Sequence, residues 1–296
     1  MLLQLPEFEL VSAASVEEAC ALIADVAAAG EFVAGGTDLF VKMKQRRATP
    51  RRLVDIKGLR ELDYIRYDAT QGLRIGALTT IQQLHASSVV RSRFAALAQA
   101  AGYLGTEQIR NLGTIGGNLG NASPSAECAP ALMALDAELR CVRSRGERVI
   151  ALERFFEAPG KTVLDRGELI TEVRVPEIAG PSASVYLKHS LRRMDVSMVA
   201  AAVVVALDGD LCRDLRIALG AVGPIPFRAR EAEALVKGQR LSANVNESEL
   251  LDEAAQIAAQ QSSPIDDLRG YAKYRRGVVR MLVKQGLALA ISRARA

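Results

Sequence analysis

The chain contains no tryptophan, and aromatic side chains make up 4% of its 296 residues although 49% are hydrophobic. A core with so few rings must be filled mainly by alanine, valine, leucine and isoleucine. Metal-binding residues are also scarce, with two histidines and four cysteines that form no C-x-x-C pair. This spacing argues against a zinc site or an iron–sulfur cluster. We therefore predict that the chain itself binds no metal.

Long apolar runs are absent as well. The longest, Met198–Leu207, is far too short to span a bilayer. The N-terminus lacks the basic and then apolar pattern of a signal peptide, so we expect a cytoplasmic protein with free thiols and no membrane span. The formal charge of +4 is mild. Basic runs such as Lys42–Arg47 are typical of solvated surfaces, and no nucleic-acid-binding signature accompanies them.

Glycine is abundant in one segment, Gln108–Pro124, which holds four glycines and three asparagines and almost no charge. Glycines allow unusual backbone conformations and the close approach of another group. A loop of exposed N–H groups suits a phosphate or pyrophosphate, because it offers donors without bulk. Taken alone, the segment is equally compatible with an ordinary turn rich in glycine and asparagine.

A second glycine loop occurs earlier in the chain. Residues 32–34 look like a short buried strand, Gly35 and Gly36 turn, and Thr37 or Asp38 is positioned to cap a helix that begins at Leu39. A strand, a glycine turn and a helix N-terminus together form an anion site. Two such loops favour a ligand with two phosphates that is bound from two sides.

The familiar nucleotide-binding motifs do not occur. No G-x-G-x-x-G is present, so a Rossmann fingerprint is not supported. Residues 159–162 resemble the end of a P-loop, but that motif needs a glycine where this chain has Phe155. Neither familiar motif therefore accounts for the two glycine loops.

Five ordered motifs resemble the FAD-binding medium subunit of the xanthine dehydrogenase and carbon monoxide dehydrogenase family of molybdenum hydroxylases. They are Phe32-Val-Ala-Gly-Gly-Thr-Asp-Leu39, Gln108-Ile-Arg-Asn-Leu-Gly-Thr-Ile-Gly-Gly-Asn-Leu119, and the segments 122–137, 167–176 and 186–200. The resemblance covers nearly the whole chain. It implies an α+β fold, with a two-subdomain FAD-binding domain of the PCMH type followed by a small C-terminal domain.

The hydrophobic patterns agree with this organisation. We predict a FAD-binding domain over 1–177, with subdomains of about 1–57 and 58–177, and a C-terminal α+β domain over 178–296 that begins with a linker at 178–183. A capping box at Ser15–Glu18 predicts a helix up to Ala29. A long loop over 105–125 is expected to face the ligand. The C-terminal domain is predicted to hold a three-stranded antiparallel sheet (184–191, 198–207, 211–220) and helices at about 227–237, 247–261 and 270–291 packed on one face.

The resemblance also implies cofactor-binding residues. The two loops would contact the FAD pyrophosphate, and four further residues would contact the flavin or the nucleotide hydroxyls; Glu127 stands where the family usually has aspartate. As alternatives to a role in cofactor binding, Ile170 could be an ordinary core residue of a strand and Lys188 a solvated residue of a strand. The implied positions are Val33, Ala34, Gly35, Gly36, Thr37, Asp38, Leu104, Thr114, Ile115, Gly116, Gly117, Asn118, Glu127, Ile170 and Lys188.

By the same resemblance, the chain is the FAD-carrying electron-transfer subunit of a larger enzyme. A small iron–sulfur subunit and a large molybdenum subunit would carry the [2Fe–2S] clusters and the molybdopterin, in a dimer of heterotrimers. No catalytic residue is assigned here, because the flavin carries the chemistry. Neither loop holds a histidine or cysteine for covalent attachment, so FAD is expected to be non-covalent. Segment 121–130 lacks the cysteine-rich insertion of the 4-hydroxybenzoyl-CoA reductase branch.

Two other readings stay open at this point. One is a free-standing FAD-dependent oxidoreductase that acts on its own small substrate. The other is a module without flavin that bridges two subunits, although the intact glycines at 35, 36, 116 and 117 argue against it.

Overall fold

The computed structural model describes residues 4–24, 30–242 and 244–296. Its N-terminal subdomain is a three-stranded parallel sheet in the order β1-β3-β2 with two helices. The Ser15 hydroxyl accepts a hydrogen bond from the Glu18 amide at 3.1 Å, which caps the first helix as predicted. The predicted continuation of that helix over 25–29 lies outside the described residues. The elements are β1 (Glu9–Ser12), α1 (Val16–Ala24), β2 (Gly30–Val33), α2 (Leu39–Lys44) and β3 (Arg52–Asp55).

The second subdomain is a five-stranded antiparallel sheet in the order β4-β5-β10-β6-β7 with six helices. The segment 105–125, which we predicted to be one long loop, instead contains α6 and α7. Thr106 and Thr114 start these two helices, because each hydroxyl accepts a hydrogen bond from the amide three residues later. The elements are β4 (Ile65–Asp68), β5 (Gly72–Gly76), α3 (Ile81–Ala86), α4 (Ser88–Arg93), α5 (Ala95–Tyr103), α6 (Glu107–Leu112), α7 (Ile115–Gly120), α8 (Cys128–Ala134), β6 (Glu138–Arg143), β7 (Gly146–Ala151), β8 (Phe156–Ala158), β9 (Lys161–Thr162) and β10 (Leu169–Val175).

The C-terminal domain has the three predicted antiparallel strands and a fourth of two residues, in the order β11-β12-β13-β14. Its three helices are those that the sequence predicts. The long α11 packs on β11 and β12, with α10 packed against it. The elements are β11 (Ser182–His189), β12 (Val199–Asp208), β13 (Leu211–Gly220), β14 (Phe227–Arg228), α9 (Arg230–Val236), α10 (Glu249–Gln261) and α11 (Ala272–Arg295).

The central strand β12 serves two hydrophobic cores at once. Successive side chains of a strand point to opposite faces. Accordingly, Ala202 and Val204 pack into the core of the second subdomain, whereas Val203 and Val205 pack into the core under α9–α11. Helices α5 and α8 cover the first of these faces, so the sheet is covered on both sides and not on one side as predicted. This double burial explains why β12 is a continuous apolar run.

Ion pairs also join the two domains. The Arg228 guanidinium, of which 4% is exposed, donates to both carboxylate oxygens of Glu233 at 2.7 and 2.8 Å and to Asp136 at 2.6 Å. Asp136 follows α8 in the second subdomain, so the contact crosses the domain boundary. All four cysteines are buried and free, as expected. Within the described residues, no helix is both long and apolar enough to span a bilayer.

Candidate functional site

A cavity of about 670 Å³ lies where both subdomains meet the loop between β11 and β12. Its volume is within the range of small-molecule and cofactor sites. It brings together most of the predicted positions, although these are far apart in sequence. The cavity is lined by Val33, Ala34, Gly35, Gly36, Thr37, Asp38, Leu104, Thr114, Gly116, Gly117, Asn118, Glu127 and Ile170, while Ile115 and Lys188 do not line it.

The first glycine loop leaves the carboxyl end of β2, the edge of a parallel sheet where ligands commonly bind. Gly35 and Gly36 are both required. A Cβ on Gly35 would collide with the carbonyl oxygen of Leu112, and Gly36 has a φ of +70°. The amides of residues 35–38 donate to no protein acceptor in the described part of the chain. They are therefore available to an anion in the cavity.

The N-terminus of α2 differs in detail from the capping that the sequence predicts. Asp38 occupies the N-cap position, but its side chain makes no capping hydrogen bond, so it stays at the cavity wall. Burial raises the pKa of Asp38, and the nearby Lys42 ammonium partly opposes this shift. Glu31, which also lines the cavity, has its pKa raised in the same way and with the same opposing lysine.

The second glycine loop differs from our expectation of exposed donors, because its amides are already engaged. The amides of Ile115 and Gly116 donate to the carbonyls of Thr79 and Ala77 at 3.0 and 2.9 Å. The Gly117 amide donates to the hydroxyl of its capping residue, Thr114, at 3.1 Å. What this loop offers is a surface without side chains, along which a ligand can lie against the backbone.

One polar atom of this second loop has no protein partner. The side-chain oxygen of Asn118 is buried and accepts no hydrogen bond in the described structure, although Asn118 lines the cavity. An unpartnered buried acceptor is costly, so a ligand hydroxyl or N–H at this point would be favourable. Unengaged amides, a cradle of glycines and an unpaired acceptor together fit a nucleotide cofactor such as FAD.

Glu127 and Lys188 form a buried ion pair across the domain boundary. Lys188 Nζ lies 2.9 Å from Glu127 Oε1 and donates a second hydrogen bond to the Tyr103 carbonyl at 3.1 Å. The Ser197 hydroxyl is 3.4 Å from the same carboxylate oxygen. Burial raises the pKa of Glu127, and the Lys188 ammonium opposes that shift.

This pair excludes the alternative that Lys188 is a solvated strand residue. Its side chain is 1% exposed, so it is not a solvated strand residue, and it reaches Glu127 instead of the cavity. Glu127 itself does line the cavity, so Lys188 can act on a ligand through that carboxylate. Ile115 is likewise a fully buried core residue, whereas Ile170 lies in β10 and has part of its surface at the cavity.

Sequence reasoning missed part of the wall. Residues 165–169 and the loop residues Met194, Asp195 and Val196 also line the cavity. The signal was available, because both stretches lie in or beside motifs that carried the resemblance. The 194–196 segment belongs to the C-terminal domain, so both domains build the cavity. Within the described residues, no group of three or more metal-binding side chains converges.

Comparison with known proteins identifies the class of protein to which this fold and cavity belong. Residues 6–178 match the FAD binding domain in molybdopterin dehydrogenase, and residues 184–290 match the CO dehydrogenase flavoprotein C-terminal domain. The first model covers more than half of the chain. The protein therefore belongs to the FAD-binding medium subunits of the molybdenum hydroxylase family, and it is a flavoprotein oxidoreductase subunit.

Individual relatives are similar in sequence to this chain over nearly their full length. The chain is 34% identical to the glyceraldehyde dehydrogenase medium chain of Sulfolobus acidocaldarius, over 94% of this chain and 96% of that one. It is 32% identical to the carbon monoxide dehydrogenase medium chain of Hydrogenophaga pseudoflava, over 97% and 98%. Identity to the xanthine dehydrogenase FAD-binding subunit of Escherichia coli O157:H7 is 30%, over 95% of each.

Solved structures give the same result. Carbon monoxide dehydrogenase from Hydrogenophaga pseudoflava, in a form that lacks the Mo-pyranopterin moiety, superposes with a TM-score of 0.93 at 33% identity, over 98% of this chain and 99% of that chain. Quinoline 2-oxidoreductase from Pseudomonas putida 86 superposes with a TM-score of 0.91 at 26% identity, over 99% and 100%. The two-domain α+β architecture is thereby confirmed.

Proposed function

We propose that this chain carries FAD non-covalently and passes electrons from a [2Fe–2S] cluster on a partner subunit through FAD to an external acceptor. The observation that carries the proposal is the cavity, which is lined by residues 35–38 with their unengaged amides, by the second glycine loop and by the unpaired acceptor of Asn118. The chain also spans at least 95% of each of the three relatives compared above.

Each wall of the cavity has a distinct role in this proposal. The amides of residues 35–38 donate to the pyrophosphate, and residues 114–118 let the cofactor approach the backbone. The Asn118 oxygen and the Glu127 carboxylate accept hydrogen bonds from ligand donors. Leu104 and Ile170 supply apolar contact. FAD, when bound, supplies the electron-carrying chemistry, while this chain binds and orients it.

The names of the relatives support a multi-subunit enzyme. These are called medium chains and FAD subunits, so each is one component of a larger enzyme. We propose a small iron–sulfur subunit and a large molybdenum subunit as partners, doubled into a dimer of heterotrimers. The oxidation of the organic substrate then takes place on the large subunit and not in this cavity.

The alternative of a free-standing flavoenzyme makes a different prediction. Under our proposal, the chain expressed alone binds FAD but oxidises purines, aromatic N-heterocycles and aldehydes at no useful rate with an artificial electron acceptor. Co-expression with the two partner subunits should yield one complex in which an oxidisable substrate bleaches the flavin spectrum. Robust turnover by the lone chain would establish the free-standing enzyme instead.

A further inference from the structure

Helix α8 is completely buried between the two domains. Every residue of Cys128–Ala134 is buried, and the helix packs on strands β12 and β13 of the C-terminal sheet. It also packs against α5 and against α7, the helix that carries Gly116 and Gly117 in the cavity wall. Pro130 of α8 approaches β13 so closely that a Cβ on Gly220 would lie 3.0 Å from its ring. Because interiors are close-packed, the helix cannot shift without shifting the cavity wall.

Both ends of α8 carry a carboxylate that is paired with the C-terminal domain. At the N-terminal end, Glu127 lines the cavity and pairs with Lys188 of β11. At the C-terminal end, Asp136 accepts a hydrogen bond from Arg228 at 2.6 Å, and its second oxygen lies 3.0 Å from Arg216 Nη1. We call Asp136, Arg216 and Arg228 the anchor cluster. Because a short helix is a rigid element, a displacement at the anchor cluster reaches Glu127.

Local preferences do not explain an aspartate at position 136. The amides of Asp136 and Ala137 donate to the carbonyls of Met133 and Leu132 at 3.1 and 3.0 Å, which is the Schellman ending of a helix. Asp136 has a φ of +53°, a conformation that glycine, and less often asparagine, usually supplies at this position. The helix dipole also disfavours a carboxylate at the C-terminal end of a helix. The reason for the aspartate therefore lies in its contacts with the C-terminal domain.

We propose that Asp136 is a positioning residue for the cofactor: through the anchor cluster it holds α8 against the C-terminal sheet, and so sets where the Glu127 carboxylate lies in the cavity. Asp136 itself does not line the cavity, so it acts on FAD only through the helix. The inference rests on the proposed function, in which Glu127 accepts hydrogen bonds from FAD. It goes further by assigning a role in cofactor binding to the opposite end of α8.

The variant Asp136→Asn tests this role. Asparagine keeps the shape of the side chain and tolerates the φ of +53°, and Arg228 stays paired with Glu233, so the variant should fold. By local preference alone it would stabilise α8, because it removes a charge that the helix dipole disfavours. We instead expect the dissociation constant of FAD, titrated into the FAD-free chain and followed by flavin absorbance, to rise about five- to tenfold, since a misplaced carboxylate makes weaker hydrogen bonds.

Glu153→Gln is the matched control, because its ion pair with Arg230 also crosses the domain boundary but starts from the turn after β7 and not from α8. It should bind FAD like wild type. A double-mutant cycle then uses the neutral background Glu127→Ala with Lys188→Met. Positions 127 and 136 are roughly 13 Å apart along a helix, a distance at which sites normally contribute independently. We nevertheless expect Asp136→Asn to change the dissociation constant less than about twofold in this background, whereas a role in stability alone would weaken binding equally in both.

The outcomes separate this inference from the function on which it rests. If the wild-type chain binds no FAD, the proposed function itself fails. If wild type binds FAD and Asp136→Asn binds it equally well, the inference is wrong while the proposed function stands. Equal weakening by Glu153→Gln, or an unreduced effect in the neutral background, also overturns it. Should Asp136→Asn not fold, Arg216→Gln replaces it, since it removes the 3.0 Å contact to the same carboxylate, and unchanged FAD binding by that variant refutes the inference.

Discussion

The buried pair of Glu127 and Lys188 allows a quantitative prediction. Replacing Lys188 with methionine removes the 2.9 Å contact to the carboxylate and leaves Glu127 with the Ser197 hydroxyl at 3.4 Å. Breaking a buried ion pair by removing one partner commonly costs about 3–5 kcal/mol. Protonation limits this cost, because neutralising a carboxyl with an ordinary pKa of 4.5 at pH 7 costs roughly 3.4 kcal/mol. We therefore expect Lys188→Met to lose about 3 kcal/mol of unfolding free energy at pH 7.

The loss of stability in Lys188→Met is expected to depend on pH. Without the ammonium, burial alone acts on Glu127, so its folded-state pKa rises further above the unfolded value. A group with a raised folded-state pKa contributes stability that is present below its unfolded pKa and is lost as the pH rises through the folded pKa. The variant should therefore be more strongly destabilised, relative to wild type, at pH 8 than at pH 5.

Urea unfolding followed by far-UV circular dichroism at both pH values measures these differences in the FAD-free protein. The double variant Lys188→Met with Glu127→Gln is the control, because it has no carboxyl to protonate. It should recover part of the lost stability and most of the lost pH dependence. A Lys188→Met variant that loses less than about 1 kcal/mol at both pH values would refute the assignment of a strong buried pair.

Three further outcomes follow from the same structure. Gly117→Val should abolish FAD binding, measured by the visible spectrum, while the protein stays folded, because the new side chain makes one contact of 3.1 Å and otherwise extends into the open cavity. Gly35→Ala should lose both FAD binding and the folded structure, since its methyl group collides with the Leu112 carbonyl. Arg228→Met should lower the urea-unfolding free energy by about 3 kcal/mol, because it leaves the buried Glu233 with only the Arg230 guanidinium at 3.7 Å and the Ile217 amide at 2.8 Å, and an equal loss in Arg230→Met would count against this. Acid precipitation should release the flavin into the supernatant, and flavin retained in the pellet would disprove non-covalent binding.

Much of the architecture follows from local pattern. The glycines at 35 and 36 mark a turn through backbone preferences that act over a few residues. The C-terminal strands and helices were predicted for the same reason. Strand β1 was missed, because its four residues are mostly exposed and owe their extended form to pairing with β3.

The site was predicted less completely, and the missing parts are non-local. Motif order indicated which residues gather, but not that Lys188 pairs with Glu127 across the domain boundary. It also did not reveal that the amides of Ile115 and Gly116 donate hydrogen bonds to the carbonyls of Thr79 and Ala77. Such pairings depend on which distant groups packing brings within 3 Å, and local sequence does not encode that distance.

The sequence by itself determined the family, the two glycine loops and most secondary structure, because these depend on residue type and short-range backbone preference. The tertiary structure decided which amides remain free, which charges are paired and which residues line the cavity. It decided these because hydrogen bonds and ion pairs form between whichever groups the shared strand β12 and its two cores bring together.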